Sequence, residues 1–183
     1  DGEWLVYDKD GDIIRASQAS DADRQKVGNG MPKFTMSTSQ NFRYRNFDLS
    51  LFFRGAFGYD IFNIHDFYYG TRNFTGNRSH KAYGKNFQIS GTANPVVCDY
   101  FLEKGDYLKL DMVTLGYTFN PKSCRFLDRV RLYGTMKNVF TLTKFSGVDP
   151  STYQVNGLTP GAQGSRTYFP STRQFIVGLQ VDF

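Results

Sequence analysis

The last ten residues, Gln174 to Phe183, most constrain how this chain can fold. Every second residue is apolar, namely Phe175, Val177, Leu179, Val181 and Phe183. Of the residues between them, only Ile176 is large and apolar. A period of two indicates a β-strand, because successive side chains point to opposite faces. A tilted strand of about ten residues crosses the hydrocarbon core of a membrane, so the segment predicts a transmembrane strand.

The composition favours alternating strands over membrane helices. The 183 residues include 18 Phe and 12 Tyr, yet the mean hydropathy is -0.46. Many aromatic side chains in a chain that is polar on average are typical of barrels with aromatic girdles. No apolar run approaches the ~18 residues of a membrane-spanning helix, which excludes a helical membrane protein. The net charge of +5 comes from scattered basic residues, so we expect no nucleic-acid binding.

Four earlier segments alternate in the same way and predict an all-β, antiparallel arrangement of transmembrane strands. The predicted strands cover about 33–44, 47–57, 107–119, 130–140 and 174–183. Arg45-Asn46 predicts a tight hairpin between the first two strands. A change of phase at Asp111-Met112 predicts a β-bulge within the third strand.

Connections between the predicted strands alternate between short and long. Residues 59–106 and 141–173 lack clean periodicity and predict long loops. Outer-membrane barrels have short turns on one side, so we expect the short turns and Phe183 in the periplasm and the long loops outside the cell. Five strands cannot close around a polar lumen, so we expect further strands upstream. The chain begins at Asp1 without a signal segment, so either an export signal lies upstream or the chain is not exported, and the composition favours the first.

The second face of the strands is polar and is predicted to line a wet lumen. Contact with lipid at the bilayer midplane would cost an Arg or Lys about 2–4 kcal/mol. The predicted lumen-facing residues are Lys33, Ser37, Asn41, Arg43, Arg54, Arg131 and Lys137.

An acidic turn near the N-terminus has the spacing of a calcium loop. Asp8, Asp10 and Asp12 carry carboxylates at alternate positions, and Ca²⁺ binds several oxygens from one tight turn. Ile13 and Ala19 stand where an EF-hand loop has Gly and Glu. Two interpretations stay open, a structural calcium site and a solvated acidic turn without metal. We expect no other cofactor.

Catalytic patterns are missing from the sequence. No nucleophile is paired with a base, no His, Cys or carboxylate cluster has the spacing of a catalytic metal site, and no phosphate-binding glycine loop occurs. We therefore do not expect an enzyme.

Several blocks, in order along nearly the whole chain, carry a family resemblance. They are DKDGDI (8–13), VGNGMPK (27–33), YRNFDLSLFFRG (44–55), GYDIFN (58–63), GDYLKL (105–110), TLGYT (114–118), KNVFTLTKFSGVDP (137–150), YFP (168–170), TRQF (172–175) and GL (178–179). Together they resemble the C-terminal end of a SusC/RagA-type TonB-linked (TonB-dependent) outer-membrane transporter of Bacteroidota.

The resemblance implies a large plugged barrel of the 22-stranded type. Residues 1–183 would form the C-terminal part of that single barrel domain and supply its last five strands, with the plug and the TonB-contacting segment upstream. Similar proteins import oligosaccharides or peptides, take energy from the TonB complex and are capped by a SusD-like surface lipoprotein. Candidates for contact with substrate or lid are the loop residues Tyr68, Tyr69, Tyr153 and Tyr168, by analogy with sugar stacking. Packing of the loops on each other is the alternative for all four.

Resemblance to outer-membrane proteins generally gives the last strand a second role. Its apolar positions, Phe175 to Phe183 in steps of two, would be the signal read by the barrel-insertion machinery. Lipid and lipopolysaccharide would surround the finished barrel. The alternative to active import is a barrel that serves as a structural scaffold or anchor, or as a passive porin.

Overall fold

A computed structural model of the chain describes residues 2–121, 126–152, 160–162 and 169–183. Its strands run over Leu5–Tyr7 (β1), Ile13–Arg15 (β2), Phe34–Tyr44 (β3), Phe47–Phe57 (β4), Asp60–Phe62 (β5), Leu102–Lys104 (β6), Tyr107–Phe119 (β7), Arg129–Thr143 (β8) and Gln174–Asp182 (β9). The described α-helical residues form one short helix, Ile64–Tyr69 (α1). Short 3-10 turns cover Ala16–Gln18, Asp21–Asp23, His80–Tyr83, Asp99–Phe101 and Pro150–Thr152. None of the helices in these described ranges is long and apolar enough to cross a membrane.

The described residues divide between two compact units. The first takes Asp1–Pro32, Gly58–Gly105 and Phe145–Tyr168, and the second takes Lys33–Phe57, Asp106–Lys144 and Phe169–Phe183. The second unit contains a five-stranded antiparallel sheet in the order β3-β4-β7-β8-β9. This sheet confirms the predicted all-β fold with five antiparallel strands.

The tight hairpin predicted at Arg45-Asn46 is confirmed. Tyr44 pairs with Phe47, so the two residues between them make the whole connection from β3 to β4. Arg45 has φ 51, which is the left-handed region. Strand β8 extends beyond the predicted 130–140 because its last residues continue the ladder with the start of β7.

The bulge predicted at Asp111-Met112 is also confirmed. Along β4, Phe52 pairs with Met112 and Phe53 with Leu110, so Asp111 is an extra residue in β7. The ladder between β7 and β8 is irregular at the same level. There Asn138 has φ 53, and its side-chain amide donates a hydrogen bond to the carbonyl of Thr172 at 2.7 Å.

The first unit has a hydrophobic core of its own, although its residues lack a clear period in the sequence. Phe101 is fully buried. Its ring lies 5.3 Å from that of Phe67, 5.5 Å from that of Trp4 and 6.2 Å from that of Phe62. The segment predicted as a long loop, 59–106, therefore contains β5, α1 and β6 packed around this aromatic core.

Candidate functional site

One face of the five-stranded sheet is apolar and open to solvent. Phe175, Val177 and Leu179 of β9 are 75%, 79% and 64% exposed. Leu179 pairs with Leu132 of β8, which is 50% exposed on the same face. Phe183 follows the strand and is exposed as well. A contiguous apolar face of this kind indicates a partner surface that is itself apolar.

Aromatic side chains gather at the short-turn end of this face. Phe47 and Tyr117 are paired across β4 and β7 with ring centroids 4.8 Å apart, and Phe119 lies 6.3 Å from Tyr117. Tyr44, opposite Phe47, is 69% exposed. We call Tyr44, Phe47, Tyr117 and Phe119 the turn-end aromatic cluster. Arg45 lies beside it, with Cζ 5.4 Å from the centroid of the Tyr44 ring.

The opposite face holds the residues predicted to line a lumen. Across β3 and β4 the ladder pairs Ser37 with Arg54, Asn41 with Ser50, and Arg43 with Asp48. Arg131 and Lys137 take the same face of β8, because they alternate with the apolar residues that pair with β9. Lys33 precedes β3, and its backbone N–H donates to the carbonyl of Phe57. These residues share one polar face, and its role as a lumen wall stays a prediction.

Asp48 and Arg131 form a salt bridge across an intervening strand. Arg131 Nε donates to Asp48 Oδ1 at 2.9 Å and Nη2 donates to Oδ2 at 2.5 Å. Gly116 of β7 lies between them, and a Cβ there would come within 2.4 Å of Asp48 Oδ1 and 2.7 Å of Arg131 Nε. The bidentate pair therefore depends on glycine at position 116.

A second charged group surrounds the bulge. The carboxylate of Asp111 contacts the guanidinium of Arg54 and lies 3.7 Å from Lys109 Nζ. Lys109 is 2% exposed, so its charge is held inside the fold beside this carboxylate. The extra residue of a bulge re-aims its side chain, which here brings Asp111 between two cations of the polar face.

A buried polar network organises the first unit. Asp66 is 3% exposed and accepts hydrogen bonds from Asn86 Nδ2 at 2.9 Å and Lys81 Nζ at 3.3 Å. Asn86 is fully buried, donates to the carbonyl of Gly70 at 2.8 Å and accepts from the hydroxyl of Tyr100 at 2.7 Å. Both buried side chains therefore have the several partners that burial demands.

Glu103 of β6 extends this network. Its carboxylate accepts from Ser146 Oγ at 2.6 Å, from the Ser146 N–H at 2.7 Å and from Asn63 Nδ2 at 2.9 Å. Burial acts to raise the pKa of the Glu103 carboxyl, but these hydrogen bonds outweigh it and the pKa lies below its ordinary value. Lys81 Nζ donates to Ser146 Oγ at 2.7 Å and joins the two halves. We call this set the loop network: Asn63, Asp66, Lys81, Asn86, Tyr100, Glu103 and Ser146.

The loop tyrosines predicted to meet substrate or lid have mixed positions. Tyr68 and Tyr69 lie in α1 and are half-buried. The ring of Tyr69 packs edge-on against Phe74 at 4.9 Å, and that of Tyr68 against Phe67 at 5.0 Å. These contacts support loop packing for both. Residues 153 and 168, the other two tyrosines, lie outside the described residues, and contact with substrate or lid stays a prediction.

The acidic turn is closed by its own hydrogen bonds. Asp8 Oδ1 accepts from the N–H of Asp10 at 2.9 Å and from that of Asp12 at 2.8 Å. Gly11, at φ 90, completes the turn between β1 and β2. Within residues 2–121, 126–152, 160–162 and 169–183, no three His, Cys, Asp or Glu side chains form a group that could hold a metal ion. The calcium hypothesis stays a prediction.

Several residues of the polar face escaped the sequence prediction. Asp48, Lys109 and Asp111 complete its ion pairs, and Gly116 makes room for one of them. The alternation of β4 and β7 places Asp48 and Gly116 on the polar face, so their face was predictable from the sequence. The salt bridge between Asp48 and Arg131, across Gly116, depends on strand order and register, which alternation alone does not specify.

No protein-family model matches the chain. Among characterised proteins, it is 30% identical over 199 residues to TonB-dependent receptor P3 of Formosa agariphila, an alignment of 100% of this chain with 19% of that protein. It is 27% identical over 159 residues to TonB-dependent receptor SusC of Bacteroides thetaiotaomicron, covering 81% of this chain and 15% of SusC. The chain thus spans about a fifth of the length of the curated relatives it matches. These relatives are named as receptors and not as enzymes.

The fold has a counterpart among solved structures. The whole chain superimposes on 21% of a chain from the RagAB peptide importer in its closed-closed state, with a TM-score of 0.74 and 20% sequence identity. The open-open state of the same importer gives a TM-score of 0.74 at 21% identity. The described strands therefore have the fold of the C-terminal strands of such a barrel.

Proposed function

The chain is a SusC/RagA-like C-terminal segment of a TonB-dependent receptor, and we propose that its protein is an active importer of large nutrients across a bacterial outer membrane. The cargo class is oligosaccharides or peptides. The named relatives support this proposal, because they are TonB-dependent receptors and the structural counterpart is a peptide importer.

The apolar face of the sheet is the observation that carries the membrane location. Val177 and Phe175 are more than two-thirds exposed, at 79% and 75%. Exposing a strand of such residues to water is unfavourable, whereas the hydrocarbon core of a bilayer would cover them. The other face presents ion pairs such as Asp48–Arg131, which suit a water-filled interior.

The sheet also supports membership of a larger barrel. Strands β3 and β9 are its two edges in the described chain, and lipid cannot satisfy the hydrogen bonds of an open edge. We propose that upstream strands pair with both edges and that an upstream plug fills the lumen. We also propose an orientation in which the short turns and Phe183 face the periplasm and the long loops face the outside of the cell.

The proposed partners follow from the similarity of the chain to SusC and to the RagAB importer. A SusD-like surface lipoprotein would cap the barrel at the cell surface, and the TonB complex would supply energy from the periplasmic side. The barrel-insertion machinery would read the apolar positions of β9 during assembly. A scaffold or a passive porin is the competing function.

Uptake in the native bacterium tests the proposal. We would delete the gene and measure uptake of fluorescent oligosaccharides and peptides in the deletion strain, in the complemented strain and after depletion of TonB. Active import predicts uptake that falls on deletion, returns on complementation and is lost without TonB. Uptake that survives TonB depletion indicates a passive porin, and uptake unchanged by deletion indicates a scaffold. Either result contradicts active import.

A further inference from the structure

The turn between β3 and β4 holds an arginine where the backbone favours glycine or asparagine. Arg45 has φ 51 within a two-residue hairpin connection. Left-handed backbone is costly for a long side chain, and hairpin turns select Asn or Gly for this reason. A residue held in an unfavourable conformation is grounds for asking what its side chain does.

The side chain of Arg45 is exposed, and its guanidinium is oriented by stacking on the ring of Tyr44. Its guanidinium carbon lies 5.4 Å from the centroid of the Tyr44 ring, within the range of a cation–π contact. Tyr44 is itself 69% exposed, so the stacked pair stands at the surface. No carboxylate in the described part of the chain forms a salt bridge with Arg45. Its five N–H donors are therefore available to an anion from outside the chain.

The neighbours of Arg45 form a gradient from apolar to charged. The exposed apolar residues Leu115 and Val177 lie in the body of the sheet face. Tyr44, Phe47 and Tyr117 follow, and Arg45 stands beyond these three aromatic residues at the tip of the hairpin. A bilayer has the same order, with hydrocarbon first, then the interface where tyrosine is enriched, then the phosphates.

We propose that Arg45, stacked on Tyr44, binds the phosphate of a phospholipid headgroup at the short-turn end of the barrel. The inference rests on the proposed function, because it requires the sheet to span an outer membrane. In the proposed orientation the lipid belongs to the periplasmic leaflet. A guanidinium binds a phosphodiester through two parallel hydrogen bonds and keeps its charge at any physiological pH. Phe47 and Tyr117 offer an aromatic surface to the glycerol and the first acyl carbons.

Arg43 provides a matched control. It lies two residues before Arg45 on β3 but on the polar face, where it pairs with Asp48 across the ladder. Arg43→Gln and Arg45→Gln remove the same charge two residues apart, the first from the polar face and the second from the turn, where it stacks on Tyr44. Arg45→Gly removes the same charge and relieves the left-handed backbone, so it separates lipid binding from folding.

The test uses the full-length protein reconstituted in nanodiscs of phosphatidylethanolamine and phosphatidylglycerol. After transfer to detergent, native mass spectrometry counts the phospholipids that stay bound, and heat-modifiable gel migration gives the thermal midpoint. We expect Arg45→Gln and Arg45→Gly to lower retention about fivefold and Arg43→Gln to leave it unchanged. Arg45→Gly should melt at the same or a higher temperature than the wild type.

Four outcomes decide between the explanations. Wild-type retention in both Arg45 variants overturns the proposal. Equal loss in Arg43→Gln also overturns it, because the effect would then follow net charge. Displacement by millimolar glycerol 3-phosphate, without its acyl chains, identifies a soluble phosphate site and overturns the lipid assignment. If the wild-type protein does not fractionate with outer membranes, the proposed function itself is contradicted. If it fractionates normally but phospholipid retention does not depend on Arg45, only this inference is contradicted.

Discussion

Arg131 of β8 holds Asp48 of β4 through two hydrogen bonds that cross over Gly116 of the strand between them. The pair therefore spans three strands of one sheet and couples them through side chains as well as through the backbone ladder.

Gly116→Ala should break this coupling. The new Cβ would lie within 2.4 Å of Asp48 Oδ1, so the carboxylate must move away from Arg131. We expect a loss of about 1–3 kcal/mol in the free energy of unfolding, because two charged groups lose their hydrogen bonds. Heat-modifiable gel migration of the full-length barrel measures the change in thermal midpoint.

Gly134→Ala is the control for that substitution. A Cβ at position 134 meets no heavy atom within 4 Å, so the variant should unfold at the wild-type temperature or slightly above it. Equal destabilisation by the two substitutions would contradict the role given to the Asp48–Arg131 pair.

Val177→Arg and Ile176→Arg should differ although the two residues are adjacent, β-branched and exposed. Val177 is 79% exposed on the apolar face of β9, and Ile176 is 40% exposed on the polar face. An arginine facing lipid near the bilayer midplane costs about 2–4 kcal/mol, so Val177→Arg should reduce membrane insertion. Ile176→Arg should insert normally. Urea-resistant membrane association measures both, and similar behaviour would refute the assignment of the faces.

Glu103 should make the loop network sensitive to acid. Its folded pKa lies below the ordinary value of 4.5, so the ionised form is stabilised in the fold. That stabilisation is complete above the ordinary value and is lost as the pH falls through the folded pKa. Amide hydrogen exchange at Ser146, whose N–H donates to Glu103, should therefore accelerate in this acid range beyond its intrinsic rate.

Glu103→Gln removes the titrating group from the same site. Exchange at Ser146 in this variant should follow only the intrinsic rate between neutral and acid pH. An acid-dependent acceleration as large as in the wild type would assign the sensitivity to another group.

Phe183→Ala should lower the amount of assembled barrel more than it changes transport per barrel. Phe183 is 87% exposed after the last strand and ends the series of alternating apolar residues. Phe126→Ala is a suitable control, because Phe126 is 80% exposed but lies outside that series. Quantifying folded protein in outer-membrane fractions distinguishes the two. Equal amounts of both variants would exclude the assembly role of Phe183.

Local periodicity predicted the sheet because each strand alternates apolar residues on one face with more polar residues on the other, and this alternation is visible in its own sequence. Alternation located the strands, and the loss of phase at Asp111 located the bulge. The hairpin at Arg45-Asn46 was predictable because its two strands converge on it without a gap.

The first unit was not predictable in the same way. Its core joins Trp4, Phe67 and Phe101, which are far apart in the chain and belong to no repeating pattern. The loop network has the same origin, since Ser146 meets Glu103 only after the intervening sheet strands have returned the chain. Contacts of this kind depend on long-range topology. For this reason the sequence predicted residues 59–106 only as a long loop rich in polar and aromatic residues.

The amide of Asn138 has a consequence for how the last strand joins its neighbour. It holds the Thr172 carbonyl just before β9 begins, which anchors the incoming strand at a fixed point on β8. A shift of one residue would turn Val177 towards water and Ile176 towards lipid. Asn138 therefore helps to fix the register of the final strand. In this register the alternating apolar residues of β9 lie on the apolar face of the sheet.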